Sequence, residues 1–160
     1  QYEETHRSHH RCWLDTSRSS WYRDSFEDGG SVAASLARAG ISASRTVSFA
    51  AGKTWVPATN AGAMLDALSS LPMSGRADIT ALARRAYAAR PSASYVSIVA
   101  PPSVSDAEAA HLAQVTPRDV TVQVLRINPK RRPRRRRLEG GVLYDCPSLR
   151  DLAHLVGDIR

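Results

Sequence analysis

Two rhythms of apolar residues run along the chain and divide it into alternating elements. Val32, Leu36 and Ala39 return at helical spacing, which predicts a helix over 24–39 with Gly40 as its carboxyl cap. Gly29 and Gly30 inside that span leave a second option, a turn followed by a shorter helix from Ser31. Met64, Leu65 and Leu68 share one face of a helix predicted over 60–71, with Thr59 as its cap and Pro72 and Gly75 beyond its end. Ile79, Leu82, Ala83, Ala86 and Tyr87 form the stripe of a third, over 78–90, stopped before Pro91. A capping box, Ser105-x-x-Glu108, opens a fourth that runs to about Gln114, and Leu149, Leu152, Ala153 and Val156 build a closing helix over 148–157.

Shorter, more continuous apolar runs lie between these helices. His10 to Asp15, Tyr95 to Ala100, Val120 to Ile127 and Gly141 to Tyr144 predict strands, and 45–50 with 54–57 predict a hairpin around Ala51-Gly52-Lys53. Strands that alternate with helices predict an α/β fold: a doubly wound, mainly parallel sheet with helices on both faces and one antiparallel edge hairpin. Ligands of such sheets gather at the carboxyl ends of the strands.

The 160 residues read as a single domain, 1–160, with no linker to divide it. No apolar run reaches the length of about 18 residues that a membrane span needs, and no leader opens the chain, so the expectation is a soluble, unprocessed domain. It opens on Gln1 rather than Met, and the expectation is the C-terminal piece of a longer protein. Cys12 and Cys146 are too few for a disulfide framework and read as buried, reduced thiols.

Charge changes this picture at one place. The chain has 22 basic and 15 acidic residues, a net charge of +7. Removing the seven basic residues between Lys130 and Arg137 leaves the two signs equal in number, so the high pI reports one tract. Lys130, Arg131, Arg132, Arg134, Arg135, Arg136 and Arg137, bracketed by Pro129 and Pro133, predict an extended or irregular Arg-rich loop over 128–139 where a helix would be expected. It is either a solvated loop or an anion-binding site for the anionic leaflet of a membrane or for nucleic acid. Nucleic acid is disfavoured, because the tract has no aromatic residues for base stacking.

The candidate chemistry starts at Asp15-Thr16-Ser17-Arg18-Ser19, directly after Cys12-Trp13-Leu14. An aspartate and two hydroxyls at alternate positions can converge on a hard divalent cation such as Mg²⁺. The competing reading is a turn in which Asp15 and the serines bond local backbone. Trp21, Tyr22 and Phe26 then serve to pin the loop to the core. His6, His9 and His10 cluster without a carboxylate or cysteine partner at metal spacing. Gly52-Lys53-Thr54 lacks the earlier glycine of a phosphate-binding loop, since Val47 stands there, and no Ser-His-Asp or Cys-His set can be named.

The strand ending in Asp-x-Ser-x-Ser, followed by a helix, a hairpin and Thr59-Asn60-Ala61-Gly62 opening a helix, resembles a von Willebrand factor A domain with its metal-ion-dependent adhesion site. Gly141 to Leu152 resembles that fold's last strand and helix. Gln1-Tyr2-Glu3-Glu4-Thr5 and the Val32 to Ala37 helix narrow the resemblance to the bacterial "domain of unknown function 58" family. The resemblance implies a non-enzymatic protein-interaction or adaptor domain that works with a MoxR-type AAA+ ATPase. It also implies a cytoplasmic-side location on a parent anchored in the membrane by a segment outside this chain. Asp15, Ser17, Ser19 and Thr59 would be the metal residues. Ala100-Pro101-Pro102 stands where the family pattern has a further aspartate, and the nearest carboxylate, Asp106, falls in a helix's first turn.

Overall fold

The apolar runs lie side by side in one mixed sheet. The computed structural model describes residues 9–22, 24–52, 54–58, 61–71, 73, 79–89 and 94–156. The strands are β1 (His9–Leu14), β2 (Thr46–Ala51), β3 (Thr54–Ala58), β4 (Tyr95–Ala100), β5 (Thr121–Ile127), β6 (Arg134–Leu138) and β7 (Gly141–Cys146). The helices are α1 (Ser25–Ser42), α2 (Ala61–Ser69), α3 (Ile79–Ala89), α4 (Asp106–Ala113) and α5 (Leu149–Val156).

The sheet order is β3-β2-β1-β4-β5-β7-β6. β2, β1, β4, β5 and β7 run parallel, while β3 and β6 run antiparallel at the two edges. The chain steps from β1 to β2 on one side and reappears as β4 on the other, so the winding reverses between β1 and β4. This is an α/β fold with a mostly parallel sheet, consistent with double winding.

Alternate residues of each strand fill the two faces. Trp13, Val96, Ile98, Val122, Val124 and Leu143 pack with Leu82 and Ala83 of α3 and Leu112 of α4. Cys12, Leu14, Phe49, Val99, Leu125 and Tyr144 pack on the opposite side with Val32 and Leu36 of α1, Met64 of α2 and Leu152 of α5. Strands covered on both sides need the near-continuous apolar runs seen in the sequence.

Three expectations change. The Arg-rich stretch contains an edge strand: Arg134 to Leu138 pairs in register with Asp145 to Gly141 across the two-residue turn Glu139-Gly140. Only its first part stays irregular, in a turn where Asn128 Oδ1 accepts from Lys130 N–H at 3.0 Å. The sheet therefore has two antiparallel edges, where one was expected. Helix α1 is unbroken at Gly29 and Gly30 and continues past Gly40 to Ser42; the positive φ that follows it, 58°, belongs to Ser44. Gly29 is required by a close approach, since a Cβ there would lie 2.6 Å from the Trp21 ring. The Ser105 capping box at α4 is formed as expected. No helix among the described residues is long and apolar enough to cross a membrane.

Candidate functional site

β1 sits between two parallel neighbours, and its carboxyl end opens at the reversal of winding, where open α/β sheets place their ligand crevice. Asp15 is the first residue beyond it, and its N–H donates to Val99 O at 3.4 Å. Only 2% of Asp15 is exposed. Its Oδ1 accepts from Ser17 N–H at 2.8 Å, closing an Asx turn. Ser17 Oγ then lies 3.3 Å from Ser19 Oγ and 2.9 Å from Ser20 Oγ, where a single 3-10 turn folds Arg18–Ser20 back on itself. Ser17 is buried and Ser19 is exposed, so the loop leads from the core to the surface.

Trp21 fixes this loop from below. Its Nε1–H donates to Asp15 O at 3.1 Å, and its ring meets Phe26 edge-on at 5.6 Å. Those two aromatics anchor the loop as the sequence implied, but Tyr22 points outward, 45% exposed, with Lys130 Nζ 4.7 Å from its ring centre. Gly52 of the hairpin turn approaches so closely that a Cβ on it would come 2.6 Å from Thr16 Oγ1. The loops after β1, β2 and β5 therefore meet on one end of the sheet.

Asp15, Ser17 and Ser19 are thus brought together, while Thr59 lies outside the described residues. Two hydroxyl oxygens 3.3 Å apart can serve neighbouring positions on one hard cation. Asp15 is the sole carboxylate of that set, and its Oδ1 already holds the turn. No group of three or more His, Cys, Asp or Glu residues that could hold a metal occurs among the described residues. With a single carboxylate, the hold of this set on Mg²⁺ would be weak, because that ion depends on carboxylate charge to give up its water.

Asp106 begins α4 as expected, and its partners are basic. Its Oδ1 lies 2.8 Å from Arg126 Nη1, and its Oδ2 bonds Arg136 Nη1. Arg126, fully buried on β5, also donates through Nε to Asp145 Oδ1 at 2.7 Å and through Nη1 to Val104 O at 2.9 Å. Arg131 stands 4.0 Å from Asp106 and 3.9 Å from Asp145. The hydrogen bond from Arg126 and the charges of the arginines hold the Asp106 carboxyl below its usual range. Two bonded carboxylates keep Arg126 charged against the cost of its burial.

A second buried network lies on the α1 face near the amino ends of the strands. Ser97 Oγ is 2.7 Å from His10 Nε2 and accepts from Gln123 Nε2 at 2.6 Å. His10 and Gln123 line a cavity of about 120 Å³ with Gly40, Arg45 and Tyr95. Burial first, then the charges of Arg45 and His9, lower His10 to about 4. A ring neutral at pH 7 in contact with a fully buried hydroxyl is a packing element, and a poor base. His9 turns to the other face, with Nε2 3.1 Å from Ser48 Oγ, so strand alternation separates two members of the histidine cluster. His6 and Lys53 lie outside the described residues.

Neither buried network is visible as a motif, since each joins residues from different strands. The one local hint is a polar residue inside an apolar run: Ser97, Gln123, Arg126 and Asp145 all occupy such positions, whereas His10 lies between His9 and Arg11. Both cysteines are free and buried; burial pushes Cys12 up to about 12 and Cys146 up to about 11, which leaves no thiolate at neutral pH. Protein-family models, curated proteins and solved structures give no match to this chain.

Proposed function

We propose that this chain is a von Willebrand factor A-like, non-enzymatic interaction domain that docks a protein partner on the carboxyl end of its sheet. The observation that carries the reading is the prearranged Asp15–Ser19 loop at the reversal of winding. It is held by Trp21 from inside and flanked by the hairpin turn and the Lys130 loop. A loop already fixed by its own hydrogen bonds loses little freedom when a partner binds, which favours recognition. The partner that the sequence resemblance supports is a MoxR-type AAA+ ATPase, on the cytoplasmic side of a membrane-anchored parent. Mg²⁺ at Asp15, Ser17 and Ser19, with Thr59 as a further ligand, would form a degenerate site that lacks the aspartate replaced by Ala100-Pro101-Pro102 and would offer open positions to a partner's carboxylate.

Two measurements test this. Asp15→Asn keeps an oxygen for Ser17 N–H and removes the charge. Millimolar Mg²⁺ is expected to raise the melting temperature of the unaltered chain by about 1–2 °C and that of Asp15→Asn not at all, because a ligand stabilises only the fold that binds it. Equal behaviour of the two chains removes the metal from the proposal. The immobilised domain is expected to retain the purified ATPase, and Asp15→Asn and Ser19→Ala to weaken that retention. No retention by the unaltered chain overturns the partner, and retention untouched by both substitutions overturns the loop as the docking face.

A further inference from the structure

We propose that the outer edge of β6 accepts an extended acidic peptide segment as an eighth strand of the sheet. Strand β6 is the last in the order, and among the described residues no strand pairs with its far side. In an antiparallel pair every second residue turns its N–H and C=O away from its neighbour, so β6 presents a row of unpaired backbone groups beyond β7. Such an edge is a template for strand addition.

The side chains decide which strand can take that place. Arg134, Arg135, Arg136 and Arg137 are all exposed. The register sets Arg134 and Arg136 opposite Asp145 and Leu143, on the face of α4, and Arg135 and Arg137 opposite Tyr144 and Val142, on the face of α1. Arg136 already leans on Asp106. Like charges directly across a ladder repel, so a second copy of this edge is kept away, and so is any basic strand. Glu or Asp across from the same positions forms cross-strand ion pairs on either face. Arginine suits this, since its planar fork matches a carboxylate with two parallel hydrogen bonds.

An ordered strand also discriminates between anions. A membrane surface or a nucleic acid would use the arginine charges and leave the backbone row to water. A peptide uses both. The inference shares with the docking reading only that the partner is a protein, and its test involves neither the Asp15 loop nor the ATPase.

The probe is a fluorescein-labelled eight-residue peptide of alternating Glu and Val, compared by anisotropy at low salt with the same sequence N-methylated at alternate residues. Charge is unchanged by methylation, whereas one edge of backbone donors is lost. N-methylation of whichever edge faces β6 is expected to weaken binding at least about tenfold, so both registers of methylation are made. The double substitution Arg135→Glu with Arg137→Glu is expected to weaken the unmodified peptide by a similar factor, with an unaltered melting temperature showing that the fold survives. Binding of both methylated peptides within about twofold of the parent overturns strand addition. So does no detectable binding at low salt, or displacement of the peptide by an equal charge concentration of single-stranded oligonucleotide or anionic vesicles.

Discussion

Arg126 has no exposed surface, and its charge is tolerated because three oxygens meet it: Asp145, Asp106 and the Val104 carbonyl. Replacing a whole buried ion pair with apolar groups is often neutral, but removing one partner strands a charge in a low dielectric. Asp145→Asn, which leaves Asp106 and the Val104 carbonyl on the guanidinium, is expected to lower the free energy of unfolding by about 1.5–3 kcal/mol in urea titration, and Arg126→Met combined with Asp145→Leu by much less. A single-substitution loss under about 1 kcal/mol would show that solvent reaches the guanidinium and that the pair is worth no more than a surface one. This network was illegible in the sequence for a physical reason. Arg126 and Asp145 are 19 positions apart and meet only because β5 and β7 are neighbours in that register. Asp15, Ser17 and Ser19 were legible because an Asx turn closes within three residues and needs no tertiary partner.

At the level of elements, α1 shows how two adjacent glycines can have opposite consequences. A Cβ at Gly29 would strike the Trp21 ring that holds Asp15 O, whereas a Cβ at Gly30 meets nothing within 4 Å. Gly30→Ala is expected to stabilise the protein by about 0.5–1 kcal/mol through helix propensity alone. Gly29→Ala is expected to destabilise it by about 1–3 kcal/mol and to speed hydrogen exchange at the Ser17 amide, because Trp21 must shift. Gly29→Ala with undisturbed exchange at Ser17 would show that the loop does not depend on Trp21. Most elements were readable because strand and helix each impose a period on apolar residues. Gly40 was misread as a cap: its lack of a Cβ serves the approach of His10 and Val47, a contact that no helical pattern records. β6 was misread as loop because four arginines and flanking prolines carry no apolar alternation; its pairing comes from β7 and the Glu139-Gly140 turn.

At the level of the whole molecule, the sheet carries different polar chemistry at its two ends, and acid should address them in sequence. His10, at the amino ends, is lowered from an ordinary 6.5 to about 4 by burial and by the nearby charges of Arg45 and His9. Ser97, Gln123 and Tyr95 complete its surroundings. Between those two pH values the unfolded chain binds a proton that the native chain refuses. Stability contributed by the neutral ring is therefore full above about pH 6.5 and lost as pH falls toward 4, by about 3 kcal/mol over the whole interval. Asp106, at the carboxyl ends, has its carboxyl held below the usual range by Arg126, so its contribution is present above the ordinary carboxylate pKa and is lost only as pH falls through that lowered value. Urea midpoints measured from pH 7.5 downward are thus expected to fall first through His10. His10→Gln, which keeps a hydrogen-bonding group for Ser97 and cannot titrate, should flatten the profile above pH 4 while leaving the steeper loss below it. An unchanged slope in His10→Gln would assign the acid sensitivity to other groups and make the buried histidine network a passive part of the core.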